Sequence, residues 1–193
     1  MIDPTNITNF NLSDTELEER ILFWVCAAGK NGTTAAKCLD KLLKSISGPY
    51  DESPMAVIFR ANSLFNLSLM MKDAGIGCYN NKSKTFVELS KAVLNRKLNL
   101  KTCTTEELET IYGIGMKTSR CFIIHSRANS NYAGIDTHML KNLRAHGIPD
   151  VPLSTPTNKK LYKKLELEVL KLAEQNNMSA TDYDLMIWNK YKK

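Results

Sequence analysis

Two glycines, Gly113 and Gly115, separate two short helical patterns in the middle of the chain. The first pattern begins with a capping box formed by Thr104 and Glu107, in which each side chain satisfies an amide that has no partner inside the helix. Glycine adopts backbone conformations that side chains forbid, and it lets another surface approach closely. The segment therefore predicts two helices joined by a tight hairpin over about residues 107–128.

The predicted turn suits the binding of a phosphate group. The amides at the start of the second helix point outward, and the helix dipole makes this end of the helix positive. Ile114, between the glycines, is expected to anchor the turn in the core, and Thr118 follows in the first turn of the helix. A backbone contact of this kind holds a phosphate without reading base sequence. A plain turn between helices with a glycine C-cap is the alternative interpretation.

Helical patterns account for nearly all of the remaining chain. A second capping box, Ser13 with Glu16, begins a helix whose apolar residues share one face: Leu17, Ile21, Leu22 and Val25. Six further helices are predicted in chain order. One follows the glycine-containing segment 27–34, one runs from Pro54 to Gly75 or Gly77, one covers about 80–97, one runs from Asp136 to His146, one ends at about Gln175, and the last begins at Ser179. The alternation typical of β-strands is essentially absent. The sequence therefore predicts an all-α fold.

Composition narrows the class of protein. The chain has 26 Lys and Arg against 20 Asp and Glu, a net charge of +6, which fits a polyanionic partner or, equally, an ordinary basic surface.

The five cysteines are odd in number, and no two of them form a Cys-x-x-Cys pair. This argues against a zinc ribbon, an iron–sulfur cluster and a disulfide framework. We therefore expect no metal, no cofactor and an intracellular location. No apolar run approaches ~20 residues and no signal-peptide pattern is present, so we expect no membrane partner.

Lys117 and Asp136 are the candidate chemical groups. Asp136 comes nineteen positions after Lys117, which leaves room for a helix of about a dozen residues and a loop of six or seven that returns the chain. Asp136 would then face the start of the helix that carries Lys117. Taken singly, Lys117 fits a solvated surface lysine and Asp136 fits a helix N-cap. Their joint spacing favours a paired, catalytic arrangement.

These motifs together resemble a known family. The residues GIGMKT at 113–118, followed by GIDTH at 134–138, are similar to the helix–hairpin–helix (HhH-GPD) base-excision DNA glycosylases. The segment 75–86 resembles the endonuclease III branch of that family, and residues 184–188 resemble the end of the small archaeal-type 8-oxoguanine glycosylases. The resemblance is strong over about 75–148 and weak at the two ends.

The resemblance implies a catalytic role for each of the two residues. Lys117 would be the nucleophile that attacks C1′ of the sugar and forms a Schiff base, and Asp136 would stabilise the developing cation and exchange protons. Members of the family with a lysine at this position cut the strand as well as removing the base. Because only a neutral amine attacks, we expect a buried or cation-rich setting to depress the pKa of Lys117.

The resemblance also implies the fold and the partner. We expect a two-lobe helical fold with the active-site cleft between the lobes, in which residues 1–44 and 149–193 form one lobe and residues 45–148 form the other, with the hairpin. The expected partner is double-stranded DNA that carries a damaged base or an abasic site, and the expected state is a monomer.

The expected substrate is narrowed by the absence of a cysteine cluster from the sequence. The endonuclease III branch usually carries a four-cysteine cluster after the catalytic aspartate, whereas no cysteine follows Cys121 here. This favours an oxidised purine, 8-oxoguanine, as the base removed. The alternatives are an oxidised pyrimidine such as thymine glycol, and a noncatalytic DNA-binding module that keeps the hairpin.

Further DNA contacts are predicted more weakly. The candidates for contact with the strands are Lys30, Asn31, Tyr79, Asn80, Lys82 and His138, and the candidates for base recognition are Trp188 and Lys193. Asn31 would enter the base stack and Lys30 would contact a phosphate, unless residues 27–34 are a simple turn. The segment at 79–82 fits equally well a capped turn before a helix, and Trp188 fits a core-facing helix slightly better. His138 fits a structural role or a phosphate contact better than a catalytic one.

Overall fold

A computed structural model describes residues 1–48, 52–64 and 66–191. Every regular element within these ranges is helical, which confirms the all-α prediction. A 3₁₀ turn at Pro4–Asn6 precedes the α-helices, which are α1 (Asp14–Ala27), α2 (Gly32–Ile46), α3 (Pro54–Leu64), α4 (Leu67–Asp73), α5 (Tyr79–Leu94), α6 (Thr105–Glu109), α7 (Met116–Ser126), α8 (Thr137–Ala145), α9 (Lys159–Gln175) and α10 (Ala180–Tyr191). In the described ranges no helix has both the length and the apolar composition that a membrane crossing requires.

The chain divides into two compact units. The first comprises Met1–Ile7 and Asn11–Ile114 and contains α1 to α6. Within it α3 packs against α5 and α1 packs against α2. The apolar face predicted for α1 is buried in this unit, since Leu17, Ile21, Leu22 and Val25 are at most 3% exposed. Burial of such side chains is the main favourable term in folding.

The second unit comprises Thr8–Phe10 and Gly115–Lys193 and contains α7 to α10. Its core is a cluster of buried side chains from α8, α9 and α10, among them Leu140, Leu143, Leu165, Val169 and Ile187. Two buried tyrosines, Tyr162 and Tyr183, belong to the same cluster. Residues 11–44 of the first predicted lobe lie with α3 to α6 in the first unit, and residues 115–148 of the second predicted lobe lie with α9 and α10 in the second unit. The division into two lobes at residues 44 and 149 stays a prediction.

Helix ends agree with the capping patterns in the sequence. Ser13 with Glu16 and Thr104 with Glu107 both form complete capping boxes. The helix predicted from Pro54 to Gly75 or Gly77 is wrong, because the structure has two helices there, α3 and α4. The side chain of Asn66 accepts a hydrogen bond from the amide of Leu69 and caps the start of α4.

Candidate active site

The two glycines of the hairpin meet different requirements. Gly113 has φ +81°, and a Cβ at this position would lie 2.3 Å from Oγ1 of Thr85. The fold itself therefore demands glycine there, on both conformational and steric grounds. Gly115 has φ −101°, and a Cβ there would meet nothing within 4 Å. The structure thus leaves open space beside Gly115, at the start of α7.

The start of α7 has the features expected of a phosphate-binding turn. Gly115 is the N-cap and has no side chain that could bond the first amides of the helix. Ile114 is 4% exposed, as expected of a residue that anchors the turn, and Thr118 is also buried. Lys117 is the second residue of α7 and lies partly buried directly after the turn.

Lys117 lies in an anionic setting. Burial lowers the pKa of its amine, but Cys121, Asp136 and Asp184 together raise that pKa by more, so that it lies above the ordinary value. The prediction of a depressed pKa for Lys117 is therefore wrong, because the buried neighbours are acidic groups and not cations. Burial also raises the pKa of the Cys121 thiol to about 12, so at neutral pH the anions that face Lys117 are the two carboxylates.

Asp136 is the N-cap of α8, as the sequence predicted. Its Oδ1 accepts a hydrogen bond of 2.8 Å from the amide of Met139. Burial and the neighbouring Asp184 carboxylate raise the pKa of Asp136, while Lys117, the Met139 amide and His138 lower it by less. A carboxylate with a raised pKa is a stronger base than an exposed one, so Asp136 is suited to accept a proton from a nearby amine.

Asp184 is the third charged group of the site, and sequence reasoning assigned it no role. Its Oδ2 lies 3.1 Å from Nε2 of His125, which is 2% exposed. A Cβ on Gly134 would lie 3.6 Å from Oδ1 of Asp184 and 2.3 Å from Sγ of Cys121, so these groups converge on one place. An aspartate amid the apolar residues of α10 was the available signal, because such an acid is usually held by a buried partner.

The structure brings Lys117, Cys121, Asp136 and Asp184 together in the second unit. Cys121 is 2% exposed, so its thiol is buried. The arrangement places one amine beside two carboxylates, immediately after an open helix N-terminus. Chemically, such a site can bind a cation-like centre, supply a nucleophilic nitrogen and exchange its proton with a carboxylate.

The other predicted DNA contacts in the first unit are partly engaged within the protein. The Lys30 amine donates to the carbonyl of Gly75, and Asn31 is the N-cap of α2, where it accepts from the Thr34 amide. Lys82 is 8% exposed and donates to two backbone carbonyls, at 2.9 and 3.0 Å. These contacts favour structural roles for the three residues. Tyr79 is half-buried at the start of α5, and Asn80 next to it is exposed.

The remaining predicted residues belong to α8 and to the C-terminal segment. The ring of His138 stacks parallel to that of Tyr191, with 6.3 Å between the ring centroids. Trp188 is half-buried in α10. Lys193 lies outside the described residues, and its role in base recognition stays a prediction.

Known proteins resemble this chain in structure but do not match it by sequence. No family model and no characterised protein matches the chain by sequence. Among solved structures, the 8-oxoguanine DNA glycosylase of Thermotoga maritima is 21% identical with a TM-score of 0.69, over 93% of this chain and 81% of that one. The Methanocaldococcus jannaschii 8-oxoguanine glycosylase/lyase, bound to DNA containing 8-oxoguanine, is 18% identical with a TM-score of 0.69, over 94% and 83%.

A third similar structure is a glycosylase for other bases. The 3-methyladenine DNA glycosylase of H. pylori, bound to 1,N6-ethenoadenine, is 19% identical with a TM-score of 0.66, over 91% of this chain and 85% of that one. The chain therefore has the fold of the HhH-GPD DNA glycosylases, in agreement with the resemblance of its motifs. Because that fold serves glycosylases with different target bases, the activity of this chain has to be argued from its own site.

Proposed function

We propose that this protein is a bifunctional DNA glycosylase and AP lyase that removes 8-oxoguanine from double-stranded DNA, acting inside the cell as a monomer. The observation that carries the proposal is the convergence of the Lys117 amine with the Asp136 carboxylate directly after the Gly113–Gly115 turn. Support for the substrate comes from two solved structures of the same fold, an 8-oxoguanine DNA glycosylase and an 8-oxoguanine glycosylase/lyase, of which this chain covers 81% and 83%.

The chemistry assigns one step to each group. The neutral Lys117 amine attacks C1′ of the damaged nucleotide, and the electron pair of the breaking glycosidic bond leaves with the base, which takes up a proton. The two carboxylates, Asp136 and Asp184, stabilise the positive charge that grows on the sugar. Asp136 accepts the proton that Lys117 must lose. The C1′–O4′ bond then breaks with its electron pair on O4′, which takes up a proton, and C1′ and the Lys117 nitrogen remain joined as a Schiff base.

Strand cleavage follows from the Schiff base. The iminium makes the C2′ hydrogen acidic, and loss of that proton expels the 3′ oxygen with its electron pair by β-elimination. Water then releases the sugar fragment from Lys117. The bases to be removed lie within the duplex, so the target nucleotide has to rotate out of the stack before Lys117 can reach C1′.

The hairpin supplies sequence-independent binding. A DNA phosphate would accept hydrogen bonds from the first amides of α7, where Gly115 leaves open space. The net charge of +6 adds attraction to the polyanion that weakens as salt is raised. Lys117 would then stand beside the sugar next to the bound phosphate.

Borohydride trapping on a duplex with an abasic site tests the proposal. The wild-type chain is expected to form a covalent adduct, and Lys117→Gln is expected to form none. Lys171→Gln is the matched control, because Lys171 is an exposed lysine of the same unit that pairs with Glu168 at 2.9 Å. Undiminished trapping by Lys117→Gln would refute the nucleophile, and absence of trapping by the wild-type chain would refute the lyase activity.

A panel of duplexes tests the substrate. We expect excision of 8-oxoguanine at least about tenfold faster than that of thymine glycol, 3-methyladenine or ethenoadenine, a ratio that polar contacts to one base readily provide. Excision of thymine glycol with 8-oxoguanine left intact would overturn the substrate and keep the reaction class. Sedimentation or light scattering at micromolar concentration tests the monomer.

A further inference from the structure

Ala133 and Ile135, two of the three residues before Asp136, are held by side chains rather than by regular secondary structure. Ala133 and Ile135 are 2% and 0% exposed, so their backbone polar groups require partners inside the protein. The Ala133 amide donates to Oε1 of Glu166 at 3.1 Å. The Ile135 amide donates to the hydroxyl of Tyr162 at 2.9 Å, and the same hydroxyl donates to the Ala133 carbonyl at 3.1 Å.

Tyr162 and Glu166 form a single clamp on α9. They are four residues apart, so their side chains leave the same face of the helix, where they are 0% and 8% exposed. The Ile135 carbonyl accepts a further bond of 2.8 Å from the hydroxyl of Thr155. The chain that leads into Asp136 is thus fixed at four backbone groups by three side chains.

Arg120 connects this clamp to the helix that carries Lys117. Its Nε donates to Oε1 of Glu166 at 2.8 Å, the same oxygen that accepts from Ala133. Its Nη1 lies 3.3 Å from the carbonyl oxygen of Met116, the residue before Lys117. The guanidinium also lies over the ring of Tyr162, 5.0 Å from its centroid. One buried network therefore joins the residue before Lys117 to the residues before Asp136.

We propose that Tyr162, Glu166 and Arg120 are positioning residues that fix the Asp136 carboxylate relative to the Lys117 amine. The inference rests on the proposed function, since it concerns the geometry of the same two groups. None of the three side chains has to touch DNA for this role. Displacement of a catalytic group by about 1 Å can cost up to about a hundredfold in rate, so small shifts of the clamped segment are sufficient to matter.

Tyr162→Phe tests the proposal, because it removes the hydroxyl and keeps the ring against Arg120. Tyr183→Phe is the matched control: Tyr183 is 1% exposed in the same core cluster, and its hydroxyl accepts from Nδ2 of Asn142 instead. We expect Tyr162→Phe to lower the single-turnover trapping rate on abasic-site DNA about tenfold, with DNA affinity unchanged. Tyr183→Phe is expected to leave the rate within about twofold of the wild-type value.

A double-mutant cycle separates positioning from general destabilisation. Combined with Asp136→Asn, Tyr162→Phe is expected to lower the remaining rate by less than about twofold, because the group that it positions has already been changed. An equal fall in both backgrounds, or equal rates for Tyr162→Phe and Tyr183→Phe, would overturn the proposal. If Asp136→Asn leaves too little trapping to time, the pair of tyrosine variants decides alone, at temperatures where both are folded.

Glu166→Gln gives a second, independent readout. The amide oxygen can still accept from Ala133, but the buried Arg120 guanidinium loses the charge that balances it. We therefore expect the trapping rate to fall with DNA affinity unchanged, and an unchanged trapping rate would count against the clamp. The failures of the two proposals are distinguishable. A wild-type chain that neither excises nor traps defeats the proposed function, whereas a trapping wild-type chain with a fully active Tyr162→Phe variant defeats only this inference.

Discussion

Nε2 of His125 lies 3.1 Å from Oδ2 of Asp184, and Nδ1 of the same buried imidazole lies 2.8 Å from Oγ1 of Thr8. A carboxylate oxygen only accepts, so Nε2 carries the proton, and in the neutral ring Nδ1 accepts from the threonine hydroxyl. The imidazole therefore fixes one oxygen of Asp184 and leaves the other facing Gly134 and Cys121. This orientation holds the carboxylate of Asp184 near the amine of Lys117.

Asp184→Asn is expected to move the acid limb of trapping to lower pH. Asp184 raises the pKa of Lys117, so removal of its charge lowers that pKa and increases the neutral, reactive fraction of the amine at a given pH. The plateau rate at high pH is expected to fall several-fold, because the developing cation loses one of two carboxylates. The measurement is the single-turnover trapping rate on abasic-site DNA between about pH 6 and 11, a range that reaches the ordinary lysine value of about 10.4.

Asp182→Asn is the matched control for that shift, since Asp182 is an exposed residue of the same helix. Its profile is expected to coincide with that of the wild-type chain. A midpoint for Asp184→Asn that stays in place or moves to higher pH would contradict the assignment of Asp184 as an anion facing Lys117.

Sequence alone placed Asp136 correctly and missed Asp184, for a physical reason. A helix N-cap depends on neighbours within three residues, so the Asp136 pattern is local and readable. The position of Asp184 beside Asp136 depends on how α10 packs in the second unit, 48 residues further along the chain. The direction of the Lys117 pKa shift was missed for the same reason, because it depends on which charges packing brings near.

The break between α3 and α4 is a local feature that the sequence pattern did not predict. Asn66 lies in a run whose apolar spacing is compatible with one continuous helix, and an asparagine within a helix can simply face solvent. Whether its side chain instead accepts from the Leu69 amide is decided by the direction that the chain takes there. Capping boxes with two reciprocal side chains, such as Ser13 with Glu16, carried no such ambiguity.

Alanine at the two hairpin glycines is expected to change the free energy of unfolding by different amounts. Gly113→Ala combines a positive φ with a Cβ 2.3 Å from Oγ1 of Thr85, so we expect a loss of about 1–3 kcal/mol in the free energy of unfolding. Gly115→Ala meets no atom within 4 Å and has an ordinary φ, so stability should change by less than about 0.5–1 kcal/mol. Thermal or urea unfolding measures both.

Gly115→Ala is expected to weaken DNA binding although it leaves the stability of the protein nearly unchanged. The methyl group of Gly115→Ala would stand where a phosphate has to approach the amides of α7, so we expect the affinity for duplex DNA to fall about tenfold, the equivalent of about 1.4 kcal/mol. Fluorescence anisotropy at fixed salt measures it. A Gly115→Ala variant that binds as tightly as the wild-type chain would exclude a phosphate contact at this turn.

Lys82→Met is expected to destabilise the first unit without changing DNA binding. The Lys82 amine donates to the carbonyls of Cys26 and Ala28 at 2.9 and 3.0 Å, and burial lowers its pKa. Methionine fills similar space but leaves both carbonyls without this donor, at a cost of about 1–3 kcal/mol. Lys84→Met, an exposed position of the same helix, is the control and should unfold like the wild-type chain.

Salt dependence of binding decides between this structural role for Lys82 and the contact with the DNA strand that the sequence suggested. A lysine that neutralises one phosphate contributes about 0.9 to the slope of log affinity against log salt. We expect Lys82→Met to leave that slope unchanged when measured below its melting temperature, since its amine is committed to the two carbonyls. A slope reduced by about 0.9, with stability equal to that of Lys84→Met, would instead assign Lys82 to the DNA backbone.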